Sequence, residues 1–130
     1  MNLNQVTVPA LDAEGWTDLT DTMPMVTLGD VGTLSMDYVV IEPGSVRTPV
    51  YHEHLDEIVF LVSGELEFFL DGKMFMLRAG QAVRIPRGMK HGSRNSCGQH
   101  VVMIAADSPA FSPDDEHETG EELPEMPGEG

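Results

Sequence analysis

The chain has 130 residues, a formal net charge of −15 and a single cysteine. That length fits one domain around one core, and a lone Cys97 leaves no intramolecular disulfide and suits a reducing compartment. The acidic balance excludes nucleic acid as a partner. No run reaches the roughly 18 apolar residues of a membrane span. With no basic-then-apolar leader at the N-terminus, a cytoplasmic protein is expected.

Residues 1–21 mix polar residues with isolated apolar ones and read as an N-terminal arm, with a short edge strand at Gln5–Val8 stopped by Pro9. Strand signals begin at residue 22 and run to residue 106. Val26 and Leu28 precede Gly29-Asp30. Thr33 to Glu42 alternates, with Leu34, Met36, Tyr38 and Val40 on one side and Ser35 and Asp37 on the other. Pro43-Gly44 ends that run. Ile58 to Val62 is continuously apolar, as in a strand buried on both faces. Glu65 to Phe68 alternates, polar out and apolar in. Asp71-Gly72 marks a hairpin between Phe69-Leu70 and Met74–Met76. Ala82–Ile85 and Val101–Ala105 are the last strands, and no segment carries helical periodicity. Short strands with turn signals every eight to twelve residues predict an all-β antiparallel sandwich or barrel.

The acids are unevenly placed. Residues 107–130 hold nine of the 22 acids with no Lys or Arg, leaving 13 acids against 7 bases in the rest. That terminal stretch has too little apolar surface to offset its ordering cost and reads as a disordered acidic tail.

Chemistry concentrates between Gly44 and Asn95. Three of the five histidines lie there, His52, His54 and His91, together with Glu57. Imidazoles with a carboxylate are ligands for a divalent transition metal. Gly80, Pro86, Gly88, His91 and Asn95 are separated by five, one, two and three residues. In spacing and identity this resembles the second signature of the cupin superfamily.

The first cupin signature is glycine, five residues, His-x-His, three or four residues, glutamate, six residues, glycine. Counted without gaps from Gly44, it places Val50 at the first histidine, His52 at the second, Glu57 at the carboxylate and Gly64 at the closing glycine. A competing register takes His52 and His54 as the His-x-His pair, alternate strand residues that face one way. The resemblance implies a small jelly-roll β-barrel, a metal held by His52, Glu57 and His91 with His54 as a further candidate, and a homodimer. Typical members have four ligands, so Val50 is a departure. Two histidines and a carboxylate point first to Fe(II), with Mn, Ni, Zn and Cu as alternatives. The expected function is a metal-dependent enzyme on a small polar, anionic metabolite, of dioxygenase, isomerase, lyase or cyclase type. The alternative is a metal-poor binding module for a sugar or organic acid. Arg47, Arg84, Arg87, Lys90 and Arg94 suggest a basic rim that steers an anion. Tyr38 and Tyr51 are candidate polar handles, and Glu53 and Asp56 candidate general bases.

Overall fold

A computed structural model describes residues 4–128. Eleven strands follow one another: β1 Thr17–Thr20, β2 Met23–Asp30, β3 Ser35–Ile41, β4 Val46–Tyr51, β5 Asp56–Ser63, β6 Glu65–Leu70, β7 Lys73–Arg78, β8 Ala82–Ile85, β9 His91–Arg94, β10 Val101–Ser108 and β11 His117–Glu118. A single 3-10 turn, Pro113–Asp115, is the one helical element among the described residues. The strands form two antiparallel sheets, β1-β2-β3-β10-β5-β8 and β11-β4-β9-β6-β7. This is the jelly-roll barrel. The Asp71-Gly72 hairpin joins β6 to β7 with both residues at positive φ (49° and 87°), the geometry of a type I′ turn.

The core lies between the sheets. Val39, Ile41, Val59, Leu61, Leu66, Phe68, Leu77 and Val101 pack there, each buried. Burial of each such side chain contributes on the order of 1.5–3 kcal/mol.

Several expectations change in the folded chain. Gln5–Val8 is not a strand; Thr17–Thr20 pairs with β2 instead, so the barrel begins inside the expected arm. On β3 the inward residues are Ser35, Asp37 and Val39, while Met36 faces out. The polar side of that alternation is the interior one, because the interior there is a site and not only a core. On β5, Val59 and Leu61 are buried but Ile58, Phe60 and Val62 are 49%, 42% and 42% exposed. The strand is therefore covered on one face only.

The acidic tail is packed on the barrel and not disordered. β10 continues to Ser108, and β11 pairs with β4 through His117↔Tyr51 and Glu118↔Val50. Leu123 packs with Phe69 and Met74 on the outer face of the second sheet, with Met126 beside them. Gly92 makes room: a Cβ there would stand 2.5 Å from the Arg47 carbonyl oxygen and 3.1 Å from Leu123. A few apolar anchors and specific ion pairs outweigh the segment's average composition.

Candidate metal centre

His52 follows β4, Glu57 lies on β5 and His91 opens β9. Two of them thus come from the second sheet and its edge, and one from the first. The two signatures are tied together through the backbone. The Gly88 N–H donates to the His52 carbonyl at 2.6 Å. The buried Asn95 amide donates to the carbonyls of Ile41 (3.0 Å), Glu42 (3.1 Å) and Gln99 (2.7 Å), and the Gly44 N–H donates to the Asn95 carbonyl at 2.9 Å. Asn95 thus clamps the Pro43-Gly44 turn to the end of β9.

One ligand atom each from His52, Glu57 and His91 lies within 4.8 Å of the others. The two imidazole centroids are 5.0 Å apart, and Glu57 Oε1 is 3.5 Å from His91 Nε2. His91 Nδ1 lies 3.0 Å from the Met89 carbonyl, which can only accept, so Nδ1 carries the proton and Nε2 presents its lone pair to the site. Burial lowers the His91 pKa to about 4, against a smaller opposing pull from the Met89 hydrogen bond, so the ring is neutral. His52 Nε2 is buried without a hydrogen-bond partner. Donors of this kind facing one another fit a divalent transition metal.

Two further carboxyls, Asp107 and Asp37, crowd behind them. Glu57 and Asp107 are register partners across β5 and β10. Burial, the hydrogen bond to Asp107 and repulsion from Asp107 and Glu116 drive the Glu57 pKa well above the usual carboxylate range. Burial also raises Asp107, and raises Asp37 although Thr27 donates to it at 2.8 Å. Burial thus favours the protonated form of each of these groups relative to a free carboxyl.

The site lies in a cavity that opens to solvent. One wall is apolar, formed by Leu19, Met23, Met25, Phe68, Met103 and Phe111. The lining also includes the site residues with Arg47, Ser93 and Glu116, and Phe111 packs edge-on to His52 at 6.1 Å. Arg47 pairs with Glu116, and that partnership with His52 and Arg47 holds Glu116 below the usual carboxylate range despite its burial.

His54 is outside this group. Its side chain is 77% exposed, with Glu53 at 3.8 Å. The strand ends before it, so the alternation that would aim His52 and His54 one way does not apply. His100 is exposed, and His117 stacks on Tyr51 at 5.2 Å. Of the basic residues, Arg87 pairs with Asp56, Lys90 with Glu121 and Arg94 with Glu67, while Arg47 alone among the described Lys and Arg residues lines the cavity. Glu53, Asp56, Tyr38 and Tyr51 are not among its lining residues. Asp37, Asp107 and Glu116 escaped the sequence reading. Asp37 sits on a polar alternation that looks outward, and the other two fall in the stretch read as disordered.

The profile of the cupin domain family matches residues 37–107. The chain belongs to that family, whose small jelly-roll barrels include many of its structural neighbours. It is 36% identical over 92 residues to "Polyketide synthase CurC" of Streptomyces cyaneus, covering 71% of this chain and 59% of that protein. It is 32% identical over 78 residues to "Protein SchB" of Streptomyces halstedii, covering 58% and 56%. The matches thus span less than two thirds of either relative's length. Among solved structures, KdgF from Halomonas sp. is similar with a TM-score of 0.70 and 27% identity, covering 75% of this chain and 87% of KdgF.

Proposed function

We propose that this protein is a metal-dependent cupin enzyme acting on a small, oxygen-rich, anionic metabolite. The convergence of His52, Glu57 and His91 within 4.8 Å carries the reading. These three residues would hold a divalent transition metal, Fe(II) first by ligand composition, then Mn, Ni, Zn or Cu. When bound, such an ion supplies Lewis-acid chemistry at a substrate oxygen. The rest falls to the chain's own residues. The wall of methionines and phenylalanines takes the carbon skeleton and excludes water. Asp107 and Asp37 stand beside the reacting oxygens, where burial favours their protonated forms, and Arg47 provides the cationic contact. The name of the CurC relative makes a polyketide intermediate, with its closely spaced oxygens, the favoured substrate class.

Elemental analysis of the purified protein tests this reading. Near-stoichiometric transition metal, lost in His91→Ala, is the expected result. No bound metal, with no thermal shift on adding Fe, Mn, Ni or Zn, would leave the second reading, a metal-poor binding module for a sugar or organic acid. Val50, standing where the family pattern has an imidazole, is the observation that favours that alternative.

The proposed assembly is a homodimer through the outer face of the first sheet. The register aligns Met36, Ala106 and Ile58 in one row and Tyr38, Ile104 and Phe60 in the next. These apolar rows, bordered by Arg84 opposite Ile58, fit a second copy of the chain.

A further inference from the structure

The structure offers a replacement for the imidazole missing at Val50. We infer that Glu116, carried on the C-terminal segment, is a fourth protein ligand of the proposed metal centre. The inference rests on that metal reading and extends it to a residue outside both cupin signatures.

Four observations carry it. First, Glu116 Oε1 is 3.9 Å from His52 Nε2, beside the 3.5 Å between Glu57 Oε1 and His91 Nε2. Two atoms that each sit about 2.1 Å from one ion stand about 3.0–4.2 Å apart. Second, His52 Nε2 is buried and without a hydrogen-bond partner, on the side that faces this carboxylate. Third, the segment is attached to the strand that lacks the histidine. Glu118 is the register partner of Val50, and His117 that of Tyr51. Asp115 accepts from the N–H groups of Glu53 (2.9 Å) and His54 (3.0 Å). The Glu116 backbone is thus fixed from both sides, two residues before the partner of the deficient position. Fourth, Arg47 pairs with the Glu116 carboxylate, the kind of outer partner that ligating carboxylates have.

Glu116 lies outside the group of three donors within 4.8 Å. Joining the coordination sphere therefore requires its side chain to turn, on a backbone already in place. Val50 supplies no donor, whereas the residue just before β11 carries a carboxylate, and replacing an imidazole by a carboxylate makes the site harder and more anionic.

The test uses the full chain, stripped of metal and titrated with Co(II) and Zn(II) against a competing chelator. Wild type should take up about one equivalent. Glu116→Gln should bind on the order of 10–100-fold more weakly and alter the Co(II) ligand-field spectrum. Glu116→Asp keeps the charge opposite Arg47 but withdraws the carboxylate by one methylene, and it should also alter the spectrum; it serves if Glu116→Gln does not fold. Wild-type-like affinity and spectrum in the folded variants would overturn the inference while leaving the three-residue centre standing. Weaker binding with an unchanged spectrum would overturn it too, since Glu116 would then act by charge alone. If wild type binds neither ion, the metal reading itself fails and the inference falls with it.

Discussion

Asp107 lies directly across from Glu57, on neighbouring antiparallel strands, with both carboxyls turned into the barrel. Burial raises both carboxyls; the hydrogen bond between them and the Asp107 charge raise Glu57 further, while the same hydrogen bond pulls Asp107 down. A divalent ion at His52, Glu57 and His91 needs Glu57 as carboxylate and must displace its proton. Metal binding is expected to release protons, read by calorimetry in buffers of different ionisation enthalpy. Asp107→Asn should reduce that release. Binding with no proton released would contradict this arrangement.

His91 makes stability depend on pH in the metal-stripped protein. Its folded pKa of about 4 lies below the ordinary histidine value of 6.5, so between these values the unfolded chain binds more protons. Its contribution is fully present above about pH 6.5 and is lost as pH falls towards 4, with a slope of at most about 1.4 kcal/mol per pH unit. The raised carboxyls act in the opposite sense, losing stability as pH rises. The comparison is therefore between wild type and His91→Gln by denaturant unfolding at pH 4.5 and 6.5. Removing the imidazole should lower the pH slope. Equal slopes would show that burial does not perturb this ring.

The histidines should separate by substitution. His52→Ala and His91→Ala remove donors from the buried group and are expected to weaken metal binding at least about 100-fold. His54→Ala, at an exposed side chain, should leave the affinity unchanged. A large loss in His54→Ala would restore the alternative register of the first signature.

Leu123 anchors the C-terminal segment among Phe69, Met74 and Met126. Leu123→Ala should cost about 2 kcal/mol, at the low end for a buried leucine because the site lies at the barrel surface. The measurement is the urea midpoint. A change below about 0.5 kcal/mol, as for an ordinary surface position, would mean that the segment contributes nothing to the fold.

The apolar rows on the first sheet predict the assembly state. Phe60→Glu places a charge in the patch and should convert a dimer to a monomer in sedimentation, with the far-ultraviolet dichroism preserved. A monomeric wild type at micromolar concentration would remove the case for self-association through this face.

The barrel was legible because its strands are short, locally apolar and separated by turn residues with fixed backbone demands. Asp71-Gly72 and Pro43-Gly44 specify their turns without help from the rest of the chain. Glu57 and His91 were legible because two spaced patterns mark them. Asp37 was not, since an alternating strand tells which residues share a face but not which face is inside. Residues 107–128 were not, because composition averages over a segment, whereas docking depends on a few contacts such as Leu123 on Phe69 and Asp115 on the Glu53 and His54 amides.

The sequence by itself determined the all-β architecture, the turn positions and the residue types able to bind a metal, because these follow from local backbone preference and side-chain chemistry. Only the tertiary structure decided that His54 points away, that Asp37 and Asp107 stand behind Glu57, and that the acidic C-terminal segment brings Glu116 to His52. Those relationships depend on which strands become neighbours across the barrel, and neighbourhood across a closed sheet is fixed by the packing of the whole chain.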